Sequence, residues 1–433
     1  MFTRAREVHA NAAQSYNFLS DFQKVRTLFF EKTFFSYFCS VIFYRILMDF
    51  VIFDPDSVRD NLLPLTYTRP VGALRVGITT IAEKWAYYLF GEYSWLTEHY
   101  LSEKFPCEAD VTADDLLLIA GNVLPDGQLA QAVMALTPGQ ALYKGDRRIA
   151  AVGDGHEHIE YSDEIMAVDN LYDIFLLNGR AICDDFARIT TGQQSAPVSD
   201  SVTVIGDRNR VFLAEGATVE GCIINVKNGP VYIGPQAEIM EGATLRGPIA
   251  IGPHSTVNMG ARIYPGTTLG PWCKAGGELN NVVMQGYSNK AHDGFLGNAV
   301  IGEWCNLGAG CVASNLKNDY TLIKLWNYPA HRFLRTDLQF CGLIMGDHSK
   351  AGINTMFNTA TVVGVGCNIH GAGFPRNFVA SFLEGGTAGF SDVPMDKFFD
   401  IASRAMSRRG IELTEADRNI LLAIREIADN YYK

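Results

Sequence analysis

The sequence predicts an α/β domain followed by a parallel β-helix with C-terminal helices, and three observations carry that prediction. The first is a six-residue register in which Ile233, Ile239, Leu245, Ile251, Val257, Ile263 and Leu269 are all branched aliphatics. The second is an alternation of short apolar runs with helix-like segments between residues 48 and about 195. The third is a pair of amphipathic stretches after Pro394.

A period of six fits neither a 3.6-residue helix nor a plain two-sided sheet. It suits a solenoid in which each unit supplies one short strand and one corner, three units closing a coil of about eighteen residues. Small or modest side chains (Ala237, Ala243, Ile249, Ser255, Ala261, Thr267) pack beside the inward aliphatics, and Gly234, Gly252 and Gly270 relieve the backbone. Ordinary sandwich strands do not hold one spacing this long. The register breaks over Gly270–Asn298, resumes at Ile301 and Leu307, breaks over residues 315–343, and resumes at Met345, Ala351, Phe357, Val363 and Ile369. Both breaks are expected to be loops thrown out of the coil, where a site can be built.

At 433 residues the chain has room for two or three domains. Hydrophobic content of 48%, charged content of 19% and a net charge of −11 describe a folded protein without the basic stripe of a nucleic-acid binder. Nine scattered cysteines without a CxxC pair read as reduced thiols of a cytoplasmic protein; Cys305 and Cys311 take inward positions and read as core.

Residues 1–47 are basic and aromatic, and the apolar run Phe34–Tyr44, followed by Arg45, is too short for an ordinary membrane span. They read as an upstream extension, with Met48 as the natural start. Phe50–Phe53, Leu116–Ala120 and Ala141–Tyr143 read as strands, and Thr79–Phe90 and Gln128–Leu136 as helices. The domain boundaries expected are 48–196, 197–390 and 391–433.

Leu63-Pro-Leu-Thr-Tyr-Thr-Arg69-Pro70 and Arg75-Val-Gly77 resemble the part of sugar-1-phosphate nucleotidyltransferases that follows their Gly-rich phosphate loop. Leu118-Ile-Ala-Gly121-Asn122 resembles the strand ending in their metal-binding Gly-Asp. The resemblance implies a Rossmann-like nucleotidyltransferase fold, nucleotide contacts at Arg69, Arg75 and Asn122, and Mg2+ as the ion of such a site. Read without it, the two arginines are surface or capping charges. The departures are specific: Phe53–Asn61 replaces the phosphate loop, Val71 stands where Lys follows Arg-Pro, and neutral Asn122 stands for the Asp.

Ser288-Asn-Lys-Ala-His292-Asp-Gly-Phe-Leu-Gly297, Ile301-Gly-Glu-Trp-Cys-Asn-Leu-Gly-Ala-Gly310 and Ala313-Ser-Asn-Leu-Lys-Asn-Asp319 resemble the acetyltransferase half of GlmU-like enzymes. These join a left-handed hexapeptide-repeat β-helix to a nucleotidyltransferase domain, acetylate glucosamine-1-phosphate and make UDP-N-acetylglucosamine. The Asn-Leu-Lys-Asn-Asp-Tyr variant is most similar to the branch found in Bacteroidetes.

The resemblance implies acetyl-CoA as acyl donor, His292 as the base, and Asn306 and Asn315 on the amino sugar. Lys290, Lys317 and Lys324 are its candidates for the sugar phosphate. Ala309, Asn354, Thr355 and Gly371 would line the coenzyme A groove, and a homotrimer would assemble it. An imidazole suits deprotonation near pH 7; apart from the resemblance, the two asparagines read as left-handed corner residues and Lys317 and Lys324 as solvated loop charges. Phe295 replaces a substrate-site Tyr, Tyr264 and Asn281 stand where cations grip the phosphate, and Ile353 replaces a serine of the groove.

Met395–Met406 and a helix capped by Thr414–Asp417 are expected to cover the open end of the solenoid. Three readings compete: an enzyme active at both domains, an acyltransferase whose N-terminal domain binds nucleotides without transferring them, and a non-catalytic sugar-nucleotide scaffold. A metal-dependent hydratase would need convergent histidines, and His254, His292, His348 and His370 share no obvious spacing.

Overall fold

The computed structural model describes residues 49–432. The extension at 1–47 and the start at Met48 lie outside the described residues.

Asp49–Lys433 forms one compact unit. Its first part is a six-stranded mixed sheet in the order β2-β1-β3-β6-β5-β7, built from β1 (Phe50–Phe53), β2 (Tyr93–Leu96), β3 (Leu117–Ala120), β5 (Gln140–Lys144), β6 (Arg147–Val152) and β7 (Glu157–Glu160). A separate pair, β4 (Val123–Leu124) and β8 (Met166–Ala167), is antiparallel. β1 lies between β2 and β3, parallel to both, which is why its run is apolar throughout. Helix α1 is Asp56–Asn61 and α2 is Ile81–Leu89; α2 starts at a capping box in which Thr80 Oγ1 accepts from Glu83 N–H and Glu83 returns the bond to Thr80 N–H. Helix α3 (Gly127–Met134) is capped by Asp126. The sequence reading missed α4 (Asp173–Thr190), the longest element of this part.

The second part is a three-faced parallel β-solenoid. Face 1 stacks Val211–Leu213, Val231–Ile233, Ile249–Ile251 and Thr267–Leu269, continues through Glu278–Gly286 and Phe295–Glu303, and ends with Ile344–Met345, Val362–Val363 and Phe378–Val379. The six-residue aliphatics point inward, and Ile233, Ile239, Leu245, Ile251, Val257, Ile263 and Leu269 belong to one buried core. Helix α4 covers the outside of face 1: Ile182 is buried against Ala250 and Ile78, with Tyr232 and Phe186 beside them. Strands of face 1 are therefore buried on both sides.

The two breaks in register have different causes. Over Gly270–Asn298 the chain never leaves the solenoid. Leu269 pairs with Met284, so this coil is shorter than its predecessor, in which Ile251 pairs with Leu269. The shortened coil shifts the pattern without making a loop. Only the second break is an excursion, carrying an antiparallel hairpin of Lys324–Asn327 and Arg332–Arg335.

Face 2 stacks Thr218–Val219, Glu238–Ile239, Thr256–Val257, Lys274–Ala275, Asn289–Lys290, Asn306–Leu307, Lys350–Ala351 and Asn368–Ile369. Face 3 runs from Thr203–Ile205, Ile223–Asn225, Thr244–Arg246 and Arg262–Ile263 to Val312–Ala313 and Met356–Phe357. The corner between faces 1 and 2 is a column of residues in the left-handed region: Gln236, His254, Trp272, Tyr287, Trp304, His348 and Phe382. Their rings stack, His254 on Trp272 and Tyr287 on Trp304, each at 4.3 Å.

The C-terminal helices do not lie where the sequence reading put them. The last strand of face 2, Leu383–Gly386, is closed by an antiparallel strand, Gly389–Asp392. Helix α5 (Met395–Ser407) lies along the aromatic corner, with Phe398 against Phe382 and His348. Helix α6 (Glu415–Tyr432) reaches the α/β part through Asp417–Lys104 at 2.7 Å and Asn419–Glu103 at 3.0 Å. The apolar face of α5 finds a flank of aromatics to cover, and the hairpin supplies the paired edge.

Candidate functional site

His292 stands exposed at the corner between faces 2 and 3. Its turn is held from three sides. Asn258 Nδ2 donates to Ala291 O at 2.8 Å, Lys290 Nζ donates to His292 O, and Gly310 N–H donates to Asp293 O at 3.1 Å. The turn also presses on glycine: a Cβ on Gly276 would lie 2.1 Å from Ala291 O. On the neighbouring coils this corner carries Ala309, whose carbonyl accepts from Asn354 N–H at 2.8 Å, and Asn354 itself, exposed with φ 56°. Gly371 is exposed with φ 102°. Thr355 turns inward, is buried and donates to Gly352 O, so its side chain cannot line an outer groove. Asn306 is exposed on face 2 and accepts from Asn289 Nδ2 at 3.4 Å.

Asn315, Lys317 and Lys324 are at a different corner, between faces 3 and 1. Asn315 Nδ2 donates to Asn298 Oδ1 at 2.8 Å. From Gly310 to Asn315 the chain crosses the whole of face 3, about 17 Å at roughly 3.3 Å per residue. One copy of the chain therefore does not bring these residues to its own His292. The excursion that follows forms an open hollow of about 550 Å³ lined by Lys317, Lys324, Arg335 and Tyr320. Arg335 was not singled out in the sequence; its place opposite Lys324 in the hairpin register is what adds it.

Neither asparagine is in the left-handed region; the corner residues that are include Asn281, Asn298 and Asn354. Asn281, which stands where the resembled enzymes carry a phosphate-gripping cation, serves packing: with its amide turned to satisfy both ends, it donates to Phe175 O at 2.8 Å and accepts from Asn298 Nδ2. Lys290 requires a correction as well. It is fully buried at an inward position of face 2, so it cannot hold a substrate phosphate. Cys305 and Cys311 are buried, and burial pushes the Cys305 thiol up to about 12.

In the α/β part, the two arginines expected to meet a nucleotide are bound to the solenoid. Arg69 pairs with Glu303 at 2.8 Å and with Asp347, which also accepts from Thr68 Oγ1. Arg75 exchanges main-chain bonds with the Gln285 amide and donates from Nε to Gln285 O. At the end of β1, where the phosphate loop would begin, Asp54 accepts from Val71 N–H and Thr97 Oγ1. Burial raises this carboxyl to about 6. Asn122 is buried just beyond the end of β3; its Nδ2 donates to Asp169 Oδ1 at 3.0 Å, while its Oδ1 has no partner among the described residues. Arg147 already pairs with Asp169. One neutral amide oxygen and one carboxylate neutralised by a guanidinium are a poor set for Mg2+, and no cluster of acidic, histidine or cysteine ligands occurs among the described residues.

Residues 50–194 match the family described as sugar nucleotidyl transferase. A stretch of 90 residues is 30% identical to the bifunctional protein GlmU of Methanocaldococcus jannaschii. Over these stretches the chain is similar to sugar nucleotidyl transferases and to GlmU.

The GlmU match spans about a fifth of either protein, 21% of each. Solved UDP-N-acetylglucosamine acyltransferases from Arabidopsis and Francisella novicida are similar at 14% and 12% identity, covering 50% and 54% of this chain and 78% and 76% of theirs. Their TM-scores are 0.21 and 0.23, and the assignment of the solenoid rests on its own strand pairing instead. The sequence reading missed the residues that join its two parts. Asn178 on α4 accepts from Gly77 N–H and donates to Gly266 O and Thr268 Oγ1. Asp185, although buried, is held below the usual carboxylate range by Lys84 and Arg188.

Proposed function

We propose that the β-solenoid transfers an acetyl group from acetyl-CoA to the amine of an amino-sugar phosphate. The observation that carries this reading is the exposed His292 on a turn held rigid from three sides, beside the Ala309–Asn354 corner. In the reaction, the sugar amine attacks the thioester carbonyl, His292 takes the amine proton, and coenzyme A leaves as its thiol. The Gly308 and Gly310 N–H groups are bonded to Ala351 O and Asp293 O. That of Ala309 pairs with no described residue and is the candidate donor to the developing oxyanion. Asn306 would meet the sugar, and Lys317, Lys324 and Arg335 would meet its phosphate.

The distance from His292 to Asn315 and the cationic hollow supports a homotrimer in which one copy's base works beside a neighbour's hollow. Exposed Met259, Ile353 and Phe374 near the His292 corner, and Tyr320, Phe333 and Phe340 on the excursion, supply apolar surface for that contact. A cytoplasmic location accords with the substrates, and no helix among the described residues is long and apolar enough to cross a membrane.

For the N-terminal domain the geometry favours binding without nucleotidyl transfer. Arg69 and Arg75 are engaged by the solenoid, Asp54 puts negative charge where phosphates would lie, and Asn122 and Asp169 make a weak metal site.

The test is to incubate the protein with acetyl-CoA and glucosamine-1-phosphate and follow thiol release, beside His292→Ala. Release that is lost in the variant supports the reading. A folded protein that releases no thiol with this or other amino-sugar phosphates overturns it.

A further inference from the structure

Lys290 occupies a place that its neighbours fill with apolar side chains. Its inward column on face 2 runs Val257, Ala275, Lys290, with Leu307, Ala351 and Ile369 on the coils beyond. Lysine is almost never fully buried unless its ammonium is satisfied, and here burial pulls the ammonium below its usual range. An aliphatic of similar volume would suit the core better. The side chain is nevertheless satisfied at its tip, where Nζ donates to His292 O and, at 3.4 Å, to Gly276 O. The stem runs inside the coil and the head emerges beneath the turn.

We infer that Lys290 is a positioning residue for acyl transfer, its buried ammonium fixing the main chain of His292 so that the imidazole projects at one angle. The inference rests on the reading of His292 as the base. A charged donor to a carbonyl is roughly twice as strong as a neutral one. Of the three groups that tie down the turn, Lys290 alone is charged, and it alone grips His292 itself. Asn258 and Gly310 hold the residues on either side. Misplacing a catalytic group by about 1 Å costs on the order of 100-fold in rate, which is what loss of this anchor would do.

The experiment uses the full chain with Lys290→Met, which keeps the stem and removes the ammonium. With acetyl-CoA and glucosamine-1-phosphate, kcat for thiol release falls about 100-fold. KM for acetyl-CoA stays within about twofold, and Tm holds or rises. A merely structural lysine would move Tm and leave kcat alone. Lys290→Leu, copying Leu307, serves if the Met variant does not fold; failure of both to fold overturns the positioning role. Wild-type protein that releases thiol, loses it in His292→Ala and keeps full kcat in Lys290→Met overturns the role of Lys290 alone. Wild-type protein without release removes the base assignment, and the inference with it.

Discussion

Arg69 of the α/β part and Asp347 of the solenoid form a buried ion pair across 278 residues of chain. Glu303 shares the guanidinium, and Thr68 adds a hydrogen bond to Asp347. The segment that resembles a nucleotide site is in this way the mount by which one part of the molecule is fixed to the other.

Removing Asp347 takes one of two carboxylates from the buried Arg69 guanidinium and leaves Thr68 Oγ1 without its acceptor. Asp347→Ala is expected to cost about 3–5 kcal/mol, read by denaturant unfolding. The triple variant Arg69→Met, Asp347→Leu, Glu303→Gln is expected to recover much of the loss, because it leaves no carboxylate of the cluster without its guanidinium.

His348 gives the stability a pH dependence. It is buried between Trp304 and Phe398, its Nδ1 has no partner among the described residues, and burial lowers its pKa from 6.5 to about 3. Between those values the unfolded chain binds a proton that the folded one refuses. This contribution is therefore full above pH 6.5 and is lost as pH falls toward 3, at about 1.4 kcal/mol per pH unit. His348→Phe, which matches Phe382 at the same corner, should flatten that limb in unfolding curves taken from pH 7 to 4.

Gly276→Ala tests the turn from below. A Cβ there meets Ala291 O at 2.1 Å and must lift the His292 turn. A fall in kcat of about 100-fold is expected, with the far-UV circular dichroism unchanged.

Lys324→Ala and Arg335→Ala should each raise KM for the amino-sugar phosphate about tenfold, the loss of one hydrogen bond to a charged group. Steady-state kinetics with kcat near wild type is the check. An unchanged KM in both would remove the hollow from the site.

Much of the fold was legible because a solenoid is local: each inward aliphatic is fixed by its own coil, and the spacing repeats. Legibility failed where a coil changed length. The chain from Leu269 to Met284 looked like a loop because a shorter coil shifts every later aliphatic. It failed also for α4, whose face toward the solenoid is set by Asn178 and Ile182 meeting residues far along the chain. Lys290 read as a candidate for the substrate phosphate because a lysine is usually free to reach solvent. Its burial follows from the inward register of face 2, beside Ala275.

The sequence by itself determined the parallel β-helix and the strand and helix rhythm before it, since these follow from periodicity and short-range geometry. The tertiary structure decided which charges are free. Arg69 and Arg75 pair with the solenoid, Lys290 holds a turn, and Lys317, Lys324 and Arg335 share one hollow away from His292. The physical reason is that an ionisable side chain takes its role from the desolvation and partners it meets in the folded chain, and those come from coils and domains that spacing alone does not bring together.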